Sequence, residues 1–175
     1  NERLRRMSII EEGQFKKESN LKLMHFENGA WVDATTSLDT VNNIICGLVN
    51  SFSDFAVFEQ QKIVSIDIKP GSNPNSINLG SGGNVPVAIF SALDFDATTI
   101  DPLTVTLASA PVQLKGKGTP MSQVEDVNAD GLSDLVVHVS TEALQLSETD
   151  TQAVLEGLTS DGTSIRGVDT IRVVP

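Results

Sequence analysis

The stretch VEDVNADGLSDLVVHVS, residues 124–140, joins a polar turn to a strand and decides the fold class. Its second half alternates between apolar and other side chains, and this period of two is typical of a β-strand. Its first half places acidic and amide side chains around one glycine, a composition that is typical of a tight turn. The stretch therefore predicts a β-protein and raises the question of whether its turn binds a metal ion.

The polar half follows the pattern D-x-N-x-D-G-x-x-D, in which oxygen ligands occupy alternate positions of a calcium-binding loop. Gly131 lies where that pattern needs a sharp turn. Oxygens on alternate residues of a tight loop converge on one point, and an all-oxygen set favours a hard cation over zinc. The predicted ion is Ca²⁺, and the predicted ligands are the side chains of Asp126, Asn128, Asp130 and Asp134 with the backbone carbonyl of Leu132.

The residues after the loop distinguish it from an EF-hand. An EF-hand has a bidentate Glu at position 12 and an exiting helix, whereas this chain has Val137 there, within a predicted strand. A calcium loop between two strands is therefore expected. Its missing ligand could be water or one of four acids, which are Glu125, Glu148, Asp150 and Asp169. The alternative is a turn without metal, because Asp, Asn and Gly are common turn residues.

Composition excludes several classes of protein. The chain has 175 residues, 39% of them hydrophobic, and a formal net charge of -11, so a globular protein that favours cations over nucleic acid is expected. Residues 61–175 carry 6 basic and 14 acidic side chains (6 - 14 = -8), against 6 and 9 in residues 1–60 (6 - 9 = -3). Cys46 is the single cysteine, and no apolar stretch approaches the length of a membrane span.

Strand signals recur along the chain, and no stretch keeps a helical period. The fold predicted is an all-β sandwich, immunoglobulin-like or jelly-roll-like, with the calcium loop between strands and a smaller β-rich segment before it. Residues 1–20 are predicted as a charged linker or edge segment, residues 21–60 as the β-rich segment and residues 61–175 as the sandwich. Asn28-Gly29 predicts a hairpin turn of the primed type. Trp31 is expected in the small core of the β-rich segment.

Residues 66–175 resemble a recurrent module of secreted and cell-surface proteins of bacteria and archaea. The resemblance is carried by IDIKPGSNPNSINLGSGGNVPVAIF, DFDATTIDPLTV, VEDVNADGLSDLVVHV and IRGVDTIRVVP, which follow one another in this order. It implies an extracellular, β-rich accessory domain with a calcium loop and without catalytic activity. A chain that begins at Asn1 is also expected to be a piece of a longer protein.

Residues 21–59 are similar to the closing strands of β-sandwich domains of the ZU5 type. Some of those domains cleave their own backbone at a His-Phe-Ser triplet. This chain has Ser51-Phe52-Ser53 instead, and Ser is a weak nucleophile without an adjacent base. Self-cleavage is therefore not expected.

The function predicted is a non-catalytic, calcium-binding structural or interaction module of a larger extracellular or cell-surface protein. Unpaired strands in the β-rich segment would allow self-association or a protein partner, and so assembly of a surface layer, adhesion or a matrix. A carbohydrate-binding accessory module of a polysaccharide-degrading enzyme is the alternative, and it requires a shallow groove with exposed aromatic side chains. A dockerin-like module would need a second loop with helical flanks. An enzyme is not expected, since no G-x-S-x-G elbow is present.

Overall fold

The computed structural model describes residues 18–174. The chain divides into two compact units, with the boundary between residues 61 and 62. We call them the N-terminal unit, up to Gln61, and the sandwich unit, from Lys62. Most of the predicted charged segment, residues 1–17, lies outside the described residues. The predicted all-β class is confirmed, because residues 18–174 form strands and short 3-10 turns without an α-helix. The 3-10 turns are Glu18–Asn20, Ala97–Thr99, Gly116–Gly118 and Thr141–Ala143.

The N-terminal unit consists of two antiparallel sheets. Its strands are β1 (Leu21–Glu27), β2 (Ala30–Asp33), β3 (Thr35–Asp39), β4 (Ile44–Gly47) and β5 (Phe55–Glu59). One sheet has the order β2-β1-β5, and the other pairs β3 with β4. The predicted hairpin joins β1 to β2, with positive φ at both Asn28 (51°) and Gly29 (84°), the conformation that a primed turn requires. Leu23, Ile45 and His25 are the buried side chains of this unit's described residues.

The sandwich unit contains the other thirteen strands. They are β6 (Lys62–Ile63), β7 (Ile66–Ile68), β8 (Ser76–Asn78), β9 (Asn84–Ile89), β10 (Thr106–Leu107), β11 (Ala110–Pro111), β12 (Leu114–Lys115), β13 (Thr119–Pro120), β14 (Ser122–Glu125), β15 (Asp134–Ser140), β16 (Gln152–Leu158), β17 (Ser164–Thr170) and β18 (Arg172–Val174). A five-stranded sheet has the order β11-β10-β16-β17-β6, and a four-stranded sheet has the order β14-β15-β9-β7. Two smaller pairs, β12 with β13 and β8 with β18, complete the unit.

One apolar core lies between the two larger sheets, as in a β-sandwich. Leu107, Leu155 and Ile165 from the five-stranded sheet and Val87 and Val137 from the four-stranded sheet are fully buried in the same cluster. Val137 is the residue at loop position 12, and its burial places the strand that follows the loop in the core. β15 pairs with β14 and β9 on its two sides, so the loop before it leads from the edge strand β14 into an inner strand of the four-stranded sheet.

Candidate metal centre

The aspartate loop, residues 126–133, connects β14 to β15. The two strands are antiparallel, and Glu125 lies opposite Asp134 at the last pair of the register. Gly131 has φ +88°, in the left-handed region that favours glycine, and Ala129 also has positive φ, at 59°. The chain therefore turns sharply within the loop, as the pattern predicts.

The side chains of the loop turn toward its own backbone. Asp126 Oδ1 accepts from Asp130 N at 3.1 Å, and Asp126 Oδ2 accepts from Gly131 N at 2.9 Å. Asn128 Oδ1 also accepts from Asp130 N, at 3.1 Å, while Asn128 Nδ2 donates to Asp130 Oδ2 at 2.9 Å. Asp130 Oδ1 accepts from the half-buried Leu132 N at 2.8 Å. These hydrogen bonds bring Asp126, Asn128 and Asp130 together over one exposed turn.

Asp134 occupies a different environment from the other predicted ligands. Its side chain is fully buried, with Oδ1 accepting from Ser91 N at 2.9 Å and Oδ2 accepting from Val127 N at 3.0 Å. Ser91 itself donates through Oγ to Ser133 O at 2.6 Å. A buried carboxylate is costly unless it is hydrogen-bonded, and here both oxygens are satisfied by backbone donors. Asp134 thus anchors the base of the loop to the segment that follows β9.

Three of the four acids considered for a further ligand bond elsewhere. Glu125 accepts from Gln123 Nε2 at 2.9 Å, Asp150 accepts from Ser147 N at 2.7 Å, and Glu148 is exposed. Asp169 Oδ2 accepts from Ile68 N at 2.8 Å and from Asn75 Nδ2 at 2.9 Å. These contacts tie Asp169 to the start of the sandwich unit.

The donor set of the loop fits a hard cation with few charged ligands. Over the described part of the chain, no group of three or more His, Cys, Asp and Glu side chains could hold a metal ion. Asp134 is buried and both its oxygens accept from backbone donors, so the exposed loop presents two carboxylates, Asp126 and Asp130, with the amide oxygen of Asn128 and backbone carbonyls. Both oxygens of Asp126 also accept from N–H groups of the loop, so an ion would have to share or replace those bonds. Calcium accepts amide, carbonyl and water oxygens as well as carboxylates. Binding here would therefore use the neutral oxygens as well.

A second candidate site is an aromatic surface on the N-terminal unit. Its central residue is Trp31, and the prediction that Trp31 lies in a core is wrong. Trp31 is 42% exposed and Phe58 is 46% exposed, so Trp31 does not fill a core. The rings of Phe26 and Trp31 meet edge to face at 5.3 Å, and those of Trp31 and Phe58 at 5.6 Å. Trp31 and Phe58 border a shallow cavity of about 420 Å³, which we call the aromatic groove. It is lined by Lys22, Met24, Trp31, Asp33, Phe58 and Gln60.

The register explains why these side chains share one face. Phe26 lies opposite Trp31, Lys22 opposite Phe58, and Met24 opposite Asp33, and alternate residues of a strand point to the same side. The other face of β1 carries the buried Leu23 and His25. The alternation of side chains along β1 is the sequence signal that could have predicted this surface, since it divides the strand into two faces.

Another carboxylate of the sandwich unit is electrostatically perturbed. Burial, and to a smaller degree the negative charge of Asp169, raises the pKa of Asp67 above its ordinary value of 3.8. Asp67 lies on β7, where it pairs with Ala88 of β9. Its charged form therefore destabilises the folded state.

Comparison with known proteins finds a distant structural likeness. No family model and no curated protein matches the chain. Among solved structures, it is similar to SGBP-B of the Bacteroides ovatus mixed-linkage glucan utilization locus, in complex with a mixed-linkage heptasaccharide. The identity is 12%, the alignment covers 98% of this chain and 42% of that chain, and the TM-score is 0.30. The chain spans less than half the length of that protein, and so distant a likeness carries no functional argument. No helix among the described residues is long and apolar enough to cross a membrane.

Proposed function

We propose that the sandwich unit is a non-catalytic, calcium-stabilised module of a larger extracellular or cell-surface protein. The observation that carries the proposal is the convergence of Asp126, Asn128 and Asp130 on one turn between the edge strand β14 and the core strand β15. A bound Ca²⁺ would offset the repulsion between the two exposed carboxylates and fix the entry to β15. The resemblance of residues 66–175 to a secreted calcium-loop module supports the same function.

Calcium affinity is expected to be low. Affinity in such loops rises with the number of charged ligands, and extracellular modules bind at Kd of about 10⁻⁴ to 10⁻³ M. This loop presents two exposed carboxylates, because Asp134 is held inside by Ser91 and Val127. The module would therefore bind calcium where the free ion reaches about millimolar concentration, and the ion would act there as a structural ligand.

The test is thermal and denaturant unfolding with millimolar calcium and after chelation, on the wild type and Asp130→Ala. At free calcium of about one to ten times Kd, the ion contributes about 0.4–1.4 kcal/mol to the free energy of unfolding, and Asp130→Ala should lose that increment. Asp101→Ala is the matched control, because Asp101 Oδ1 accepts the N–H two residues ahead at 3.0 Å, as Asp130 Oδ1 does at 2.8 Å. Equal stability with calcium and chelator in the wild type would show that the loop is a turn without metal.

A second candidate function is carbohydrate binding by the aromatic groove. Flat aromatic rings beside polar groups bind the apolar faces of pyranose rings and their hydroxyls. The Lys22–Asp33 ion pair, at 3.2 Å, and Gln60 provide such polar groups at the groove. The exposed rings of Trp31 and Phe58 beside a shallow groove support carbohydrate binding, which needs accessible aromatic side chains.

Sedimentation with insoluble cellulose and chitin, and titration with a soluble β-glucan, test this second candidate. Trp31→Ala and Phe58→Ala should abolish any binding that the wild type shows. Phe52→Ala is the control, since Phe52 is 70% exposed but does not line the groove. Binding that survives loss of both groove aromatics would place the site elsewhere.

A third candidate function is self-association through the N-terminal unit. β2 is an edge strand of its sheet, and all four of its residues are exposed. Exposed edge strands pair with strands of other chains unless they are protected. Light scattering of the whole chain at several concentrations tests this, and a constant monomer mass would contradict it.

A further inference from the structure

His25 is a buried histidine whose two ring nitrogens both have partners. Its side chain is 1% exposed, and its ring stacks on Phe55 with centroids 4.6 Å apart. Nδ1 lies 2.7 Å from Glu27 Oε1, and Nε2 lies 2.7 Å from Ser53 Oγ. Ser53, His25 and Glu27 therefore form a continuous serine–histidine–carboxylate chain, which we call the Ser53 triad.

The strand geometry fixes each member of the Ser53 triad. His25 and Glu27 are two residues apart on β1, so their side chains lie on the same face. Phe26 N donates to Asp54 O at 2.9 Å, and this bond holds the residue after Ser53 against the end of β1. Ser53 itself is exposed, whereas His25 is enclosed. The hydroxyl can therefore meet a molecule from solvent while its base keeps one orientation.

The hydrogen bonds assign a role to each group. Glu27 accepts from Nδ1, which selects the tautomer whose Nε2 lone pair faces Ser53. The Ser53 hydroxyl has one proton and two acceptors, His25 Nε2 and the carbonyl oxygen of Phe26. A serine becomes a nucleophile when an adjacent base takes its proton, and triads are recognised by this geometry and not by their order in the sequence. The base that the Ser51-Phe52-Ser53 triplet lacks in sequence is thus provided in space by β1.

We propose that the Ser53 triad makes Ser53 an acyl-accepting nucleophile toward small carboxylic esters. Oγ forms a bond to the ester carbonyl carbon while its proton moves to His25 Nε2. The carbon–oxygen bond of the ester breaks, and the leaving alkoxide takes that proton as an alcohol. Water then attacks the acyl-serine through the same base, releases the carboxylic acid and restores the hydroxyl. Glu27 is a positioning residue, because it acts through His25. Phe52, 70% exposed beside Ser53, favours apolar acyl groups.

The experiment uses the whole chain with two probes, p-nitrophenyl acetate and a fluorophosphonate, and maps the adduct by peptide mass spectrometry. The wild type should carry the adduct on Ser53, and Ser53→Ala should lose it. His25→Asn should slow labelling by about 10²-fold or more, the usual contribution of a general base. Glu27→Gln should slow it by roughly tenfold or more, because the tautomer is no longer held.

Two controls keep the outcome decisive. Ser51→Ala removes an exposed serine two positions away and should leave labelling unchanged. Thermal unfolding of each variant identifies any loss of fold, and if His25→Asn does not fold, Glu27→Gln decides, since Glu27 is 35% exposed. A folded wild type without an adduct on Ser53, or equal labelling rates in the wild type and Glu27→Gln, would overturn the proposal. So would an intact mass showing the chain cut between Phe52 and Ser53, because the hydroxyl would then act on its own peptide bond.

Discussion

The N-terminal unit and the sandwich unit differ in where their largest side chains lie. In the sandwich unit, Leu107, Leu155 and Ile165 are fully buried between two sheets. In the N-terminal unit, Trp31 and Phe58 lie on an exposed face, while a histidine takes one of the few buried positions. A small unit has too much surface for its volume to bury all its apolar groups. The comparison shows where new chemistry can arise, since the thin unit exposes its aromatic rings and encloses a titratable group.

The largest expected effect concerns the buried carboxylate of the sandwich unit. Asp134→Ala leaves the buried N–H of Ser91 and the half-buried N–H of Val127 without an acceptor. At roughly 1–3 kcal/mol for the buried donor of Ser91, and less for the half-buried donor of Val127, the free energy of unfolding should fall by about 1–4 kcal/mol. The loss should be the same with calcium and with chelator, in denaturant unfolding, whereas Asp130→Ala should lose more stability with calcium than with chelator. A loss in Asp134→Ala that chelator removes would instead make Asp134 primarily a ligand.

A pair of glycine substitutions compares the packing of the two units. A Cβ at Gly167 would lie 2.5 Å from Ile66 Cγ2 in the sandwich unit, and one at Gly47 would lie 2.6 Å from Ala34 O in the N-terminal unit. Gly167→Ala and Gly47→Ala should each lower the free energy of unfolding by about 1–3 kcal/mol, because a close-packed neighbour must move. Gly116→Ala, where a Cβ meets nothing within 4 Å, is the control for both. If Gly47→Ala costs no more than this control, the N-terminal unit is loosely packed.

Truncation of the exposed aromatic ring tests the assignment of Trp31 to the surface. Trp31→Ala removes two edge-to-face contacts and should cost about 1–3 kcal/mol, at roughly 0.5–1.5 kcal/mol for each aromatic pair. A Trp in a core would cost about 3–5 kcal/mol on the same change. Denaturant unfolding measures this loss of stability, and a loss in the upper range would indicate that Trp31 is buried in a core.

The smallest effect is pH-dependent and belongs to Asp67. Its folded pKa is raised by burial and by Asp169, so the folded state binds more protons than the unfolded state between the ordinary and the raised pKa. Stability contributed by this group therefore falls as pH rises through that window. Asp67→Asn should raise the melting temperature at pH 7, and the gain should vanish below the ordinary value of 3.8.

Asp96 provides a control of opposite sign. The hydroxyl and the N–H of Thr98 lower the pKa of Asp96 below its ordinary value, so its charged form stabilises the folded state. Asp96→Asn should lower the melting temperature at pH 7 and have no effect in acid. If the melting temperature at pH 7 changed in the same direction in Asp67→Asn and Asp96→Asn, the charge of these carboxylates could not explain either change.

Local sequence patterns predicted several elements correctly. Asn28-Gly29 gave the primed hairpin turn, and the alternation after the aspartate loop gave β15, because both signals act between neighbouring residues. The same reasoning grouped Asp134 with the exposed loop acids, although it lies in the interior. Burial of Asp134 depends on Ser91, more than forty positions away, and no spacing rule contains that contact.

By itself, the sequence determined the all-β class, the turn residues and the oxygen-rich composition of the aspartate loop, since these follow from backbone preferences and from the chemistry of each side chain. Only the tertiary structure decided that Trp31 and Phe58 share an exposed face, that Asp134 accepts from Ser91 and Val127, and that Ser53 meets His25. Except for the bond between Asp134 and Val127, those contacts join residues far apart in the chain. Strand register and core packing set them, and both are properties of the whole unit.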